Sequence, residues 1–123
     1  MSLSVDELLA KARAGLDRVS PDELEREVEA GALLVDIRPV EQRERDGVLP
    51  RALVIDRNVF EWRLAPSSEW KIIDIDPDQR VIVVCNQGFQ SSLAAATLQD
   101  LGLRRATDLV GGYEAWNAAR TGD

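Results

Sequence analysis

The chain carries one cysteine, and its setting is that of a nucleophile. Val81-Ile82-Val83-Val84 runs into Cys85, and Asn86-Gln87-Gly88-Phe89-Gln90 leads on to Ser91-Ser92-Leu93-Ala94-Ala95-Ala96. Four β-branched apolar residues read as a buried strand, and the run from Ser91 or Ser92 onward reads as a helix. A thiol at a strand end that faces a helix N-terminus lies in the positive field of unpaired backbone N–H groups. Such a field favours the thiolate, which is the nucleophilic form.

Composition narrows what this thiol can do. With a single cysteine the chain can form neither an internal disulfide nor a CxxC redox pair, and no histidine is present. Cys-His and Ser-His-Asp catalysis and Cys/His zinc sites are therefore excluded, and no metal site or cofactor is expected. A formal charge of −7 argues against nucleic acid, whose phosphates need a basic surface. No segment reaches the roughly 18 to 20 apolar residues of a membrane helix. Met1 to Ala10 lacks a basic stretch followed by an apolar run, so no secretory signal is expected and the reading places the chain in the cytoplasm.

The elements that must position Cys85 follow from periodicity. In 123 residues there is room for one compact domain, with residues 1–19 an N-terminal helix and 20–123 the domain proper. Val5, Leu8, Leu9, Ala12 and Leu16 form a helical stripe over Val5 to Arg18. Ser20-Pro21-Asp22-Glu23 reads as a capping box opening a second helix that runs to about Ala30. Strands are expected at Leu33–Ile37, Leu53–Ile55, Val81–Val84 and Ala106–Val110. Helices are expected at Pro39–Arg45, Val59–Leu64, Ser91–Leu101 and Tyr113–Ala119. Strand-helix alternation indicates an α/β fold, a mostly parallel central sheet with helices on both faces, whose ligands bind beyond the carboxyl ends of the strands. Cys85 stands at such an end.

Over roughly Ser20 to Arg120 these segments resemble a single-domain rhodanese, a sulfurtransferase fold. Leu34-Val35-Asp36-Ile37-Arg38-Pro39 is similar to the family's Asp-Val-Arg segment. Gly47-Val48-Leu49-Pro50-Arg51-Ala52 is similar to its Gly-His-Ile-Pro-Gly-Ala turn, with Val48 for histidine and Arg51 for glycine. Leu109-Val110-Gly111-Gly112-Tyr113-Glu114-Ala115-Trp116 is similar to its closing Gly-Gly-x-x-x-Trp. The resemblance implies a loop from Cys85 through Gln90 that forms a cradle of inward-pointing amides. Asn86, Gln87, Gly88, Phe89, Gln90 and Ser91 would then bind substrate around Cys85. Successive N–H groups in a tight turn make an anion-binding concavity, and Gly88 allows the backbone a positive φ or a close approach.

On that resemblance the chemistry is a double displacement in which Cys85 takes the outer sulfur of a donor such as thiosulfate and a persulfide forms. A small sulfur donor and an external thiol or protein acceptor are the implied partners, since no second cysteine can discharge the first. Where many relatives have arginine, serine or threonine, this chain has Gln90, and Asn86 replaces a residue often basic in thiosulfate users. Arg38, Arg57 and Arg63 are the arginines that could bring charge in, against a default of surface solvation. Asp36 and Arg38 are expected to make structural hydrogen bonds. Ser91 and Ser92 are expected to cap the helix, Trp116 to pack in the core, and Trp62 and Trp70 to pack or to line the pocket mouth. Two other readings stand beside the sulfurtransferase. One is a catalytically idle binding or regulatory module of the same fold. The other is a Cys-x5-Arg phosphatase, against which the sixth position after Cys85 holds Ser91 and no arginine.

Overall fold

The computed structural model describes residues 2–122. Its centre is a four-stranded sheet in which β1 (Leu33–Asp36), β2 (Leu53–Val54), β3 (Val81–Val84) and β4 (Ala106–Asp108) lie in the order β2-β1-β3-β4, every pairing parallel. Helices α1 (Val5–Arg13), α2 (Leu24–Glu29), α3 (Val40–Asp46), α4 (Phe60–Leu64), α5 (Gln90–Asp100) and α6 (Gly112–Thr121) surround it, with short 3-10 turns leading into α2 and α4. The α/β expectation therefore holds, with element ends displaced by a residue or two. The chain leaves β1 toward one edge and β3 toward the other, so the loops after these adjacent strands diverge and open a crevice at their carboxyl ends.

Strand β3 is buried on both faces, which is why its sequence is an unbroken apolar run. Val81 and Val83 point into one cluster with Phe60, Leu64, Ala94, Ala95 and Leu98. Ile82 and Val84 point into the other with Val19, Leu24, Leu109, Tyr113 and Trp116, so Trp116 is core as expected. Small residues on α5 let that helix lie close against the sheet, carrying its first turn up to Cys85.

One expected element is shorter than its pattern. The helical stripe runs on to Leu16, but α1 ends at Arg13 and Ala14-Gly15 make a turn. Beyond it the chain is extended, and Val19 pairs with Leu109 through bonds to Asp108 and Val110. Tertiary pairing along β4 wins over local helical periodicity, and it lays Arg18 beside the strand end. Arg51 adopts φ +68°, the left-handed conformation that the resembling turn meets with glycine.

Candidate active site

Cys85 is 8% exposed and lines a cleft of about 660 Å³ between the loops that follow β1 and β3. The backbone N–H groups of Gly88 and Ser91 donate to its Sγ at 3.2 and 3.3 Å, and Ser91 Oγ lies 3.2 Å from it. Two converging amides and the first turn of α5 present positive dipole to one sulfur.

The loop holds this form because its carbonyls are tied down on the outside. The first amides of α6 take two of them, Tyr113 N–H donating to the Cys85 carbonyl at 2.9 Å and Glu114 N–H to that of Asn86 at 3.0 Å. The Gly88 carbonyl accepts from Arg13 Nη2 at 2.7 Å and Arg18 Nη2 at 3.1 Å. A trans peptide sets its N–H opposite its C=O, so each tethered carbonyl turns the following amide the other way. Two glycines make the packing possible. A Cβ on Gly88 (φ +87°) would stand 2.7 Å from Gly111 N, and one on Gly112 (φ +64°) would stand 2.5 Å from the Cys85 carbonyl oxygen.

The residues singled out beforehand fall into three groups. Gln87, Phe89 and Gln90 line the cleft, with Phe89 57% exposed at its rim. Asn86 also borders it, but its side-chain amide is turned to Glu114 Oε2 at 2.9 Å. Ser91 lies beneath the sulfur. The expectation that Ser91 and Ser92 are helix caps is corrected, because the N-cap is Phe89 and both hydroxyls donate to Asp108 Oδ2 at 2.7 Å. A buried carboxylate draws these donors away from the helix end.

Asp36 and Arg38 form a buried ion pair, Nη2 to Oδ2 at 2.9 Å. Arg38 also donates to the Gly47 carbonyl at 2.9 Å and stacks 3.9 Å over the Tyr113 ring. The three sequence patches of the resemblance thus meet at one guanidinium, which is buried behind the cleft and brings no open charge into it. Arg57 lines the cleft too, paired to Glu61 at 2.9 Å. Arg63 does not line it and instead donates to the Trp70 carbonyl. Trp62 and Trp70 flank a separate apolar groove with Ala65 and Leu101, so neither borders the cleft mouth.

Sequence reasoning missed Arg13, Arg18 and Asp108. Arg18 clasps Asp108 with Nε–Oδ1 at 2.8 Å and Nη2–Oδ2 at 3.2 Å, and Asp108 is fully buried. The available signal was an aspartate inside a strand that must be covered, since a buried carboxylate demands partners.

Fold and thiol cradle together define a class, the rhodanese-like domain, and the comparisons agree. The family profile for that domain matches residues 20–119, so the chain belongs to the rhodanese-like domain family. It is 30% identical over 101 residues to thiosulfate sulfurtransferase GlpE of Pseudomonas savastanoi pv. phaseolicola, covering 82% of this chain and 87% of that one. It is 29% identical over 102 residues to the adenylyltransferase and sulfurtransferase UBA4 of Candida albicans, covering 81% of this chain but 23% of that longer protein. Among solved structures, a Rhodopseudomonas palustris protein of unknown function, described as a possible tyrosine phosphatase, superposes with TM-score 0.84 at 27% identity. That likeness covers 98% of this chain and 93% of the other.

Proposed function

We propose that the protein is a sulfurtransferase that carries sulfane sulfur as a persulfide on Cys85. The convergence of the Gly88 and Ser91 amides on Sγ, in the lining of an open cleft, is the observation that carries this reading. The Cys85 thiolate attacks the outer sulfur of a donor such as thiosulfate. The donor's S–S bond breaks, sulfite leaves with the electron pair, and a Cys85 S–S bond forms. Amides of the loop then stabilise the anionic terminal sulfur, as an oxyanion hole does for oxygen. An external thiophile attacks that sulfur and releases the Cys85 thiolate. The acceptor is a thiol or an acceptor protein, because the chain has no second cysteine. Relatives named as sulfurtransferases support the assignment.

The neutral Asn86 and Gln90 leave backbone dipoles as the main field at the sulfur, with Arg43 and Arg57 the half-buried cations that line the cleft. Phosphoryl transfer is disfavoured because Ser91, where a Cys-x5-Arg enzyme needs its phosphate-gripping arginine, is buried on Asp108. The test is thiocyanate formation from thiosulfate and cyanide. Wild type should turn over and Cys85→Ser should not. Zero turnover by folded wild type with several sulfur donors would assign the chain to the idle binding modules, and Cys85-dependent hydrolysis of an aryl phosphate would replace the reading with a phosphatase.

A further inference from the structure

The family match begins at Ser20, yet two side chains that hold the Cys85 loop come from before it. Arg13, the last residue of α1, and Arg18, on the extended segment beside β4, both donate to the Gly88 carbonyl. By peptide planarity this pull turns the Phe89 N–H away from the two arginines. Arg13 Nε also donates to Ser92 Oγ at 3.0 Å.

Arg18 reaches the sulfur by a second route, through Asp108. A carboxylate can only accept, so the Ser91 and Ser92 protons both point at Asp108 Oδ2. A Ser91 hydroxyl committed in this way offers Sγ only lone pairs, which suit a thiol proton and oppose a sulfur anion. Once released, the same hydroxyl can donate to the anion across the 3.2 Å separation. Asp108 can let it go, because Ser92 and the Arg18 fork remain on the carboxylate.

We propose that Arg18 and Asp108 are positioning residues that act on Cys85 in opposite senses through the Ser91 hydroxyl, while Arg13 and Arg18 together fix the loop at the Gly88 carbonyl. The Asp108 charge holds the Ser91 proton away from sulfur, and the Arg18 charge weakens that hold. Segment 13–18, outside the matched domain, is thereby part of the site. Other charged side chains stand near Cys85 in and around the cleft. Arg43 and Arg57 oppose Glu41 and Asp56 there, the Asp36–Arg38 pair is buried behind the cleft, Glu114 holds Asn86 from α6, and all of them stay constant across the variants that test the idea.

The purpose of this device rests on the sulfurtransferase reading, but its test needs no sulfur donor. Cys85 is alkylated with iodoacetamide across a pH series, where the rate follows the thiolate fraction. Asp108→Asn should move the profile to lower pH and raise the rate at mildly acidic pH about fivefold, because a neutral amide oxygen holds the Ser91 proton less tightly than the carboxylate and lets it turn to the sulfur. Arg18→Leu should lower that rate by a similar factor, and Arg18→Lys should restore most of it. In a Ser91→Ala background the Asp108→Asn effect should shrink to less than about twofold, since the route through the hydroxyl is gone. If Arg18→Leu does not fold, the Asp108→Asn and Ser91→Ala pair decides alone.

The proposal is overturned if Asp108→Asn and Arg18→Leu move the profile in the same direction, as loss of a mere structural clasp would. It is equally overturned if Asp108→Asn acts undiminished without Ser91, or if neither variant moves the rate. The predicted ordering without sulfur loading would sink the sulfurtransferase and leave the positioning intact. Sulfur loading with the reverse ordering would do the opposite.

Discussion

Arg38 ties the front of the molecule together, and the energetics of its pair with Asp36 are those of charges removed from water. Both side chains are at most 1% exposed, and the guanidinium also serves the Gly47 carbonyl and the Tyr113 ring. Taking one partner away strands the other in the interior, a loss of about 3–5 kcal/mol. Arg38→Met should therefore lower the urea midpoint by that equivalent, and a change below about 1 kcal/mol would show the pair to be dispensable. This pair was legible beforehand because its partners lie two positions apart, inside a recognisable patch. Asp108 was not, because its cation Arg18 stands 90 positions away and reaches it only once the chain runs back along β4. Local spacing carries no trace of such a contact.

At the scale of elements, the loop after β3 is held between two helices that meet it in different ways. The start of α6 gives it amides, and the start of α5 gives it dipole and the Ser91 N–H. Gly112 is where α6 comes closest. Its φ of +64° and the 2.5 Å approach of an added Cβ to the Cys85 carbonyl leave no room for a side chain. Gly112→Ala should cost about 1–3 kcal/mol of stability and, by displacing the Cys85 carbonyl, reduce sulfur loading about tenfold. Thermal unfolding and loading measured on the same preparation check both, and wild-type loading would mean that the α6 contact does not set the cradle. The glycine pair itself was legible as part of the closing patch, but its contact with the Cys85 loop was not. Strand β3 and helix α5 were legible because an unbroken β-branched run and the alanine-rich stretch that follows the loop state their types locally. The end of α1 was not, because the stripe through Leu16 is locally sound and pairing at Val19 overrides it.

For the whole molecule, the order β2-β1-β3-β4 determines where chemistry can happen. Divergence of the chain after β1 and β3 opens one crevice, and the sequence places its single thiol there. Sheet class and the placement of the thiol beside the crevice were readable from strand-helix alternation plus one residue. The N-terminal segment was readable only as a helix, because its contribution comes from two side chains aimed at a distant loop. All of these features bear on the same claim, that a sulfur anion is held and passed on at Cys85. Intact mass after incubation with thiosulfate, before and after reductant, tests it most directly. Wild type should gain the mass of one sulfur atom and lose it on reduction, and Cys85→Ser should gain nothing. Equal gain on both proteins, or none on wild type with any sulfane donor, would contradict the account.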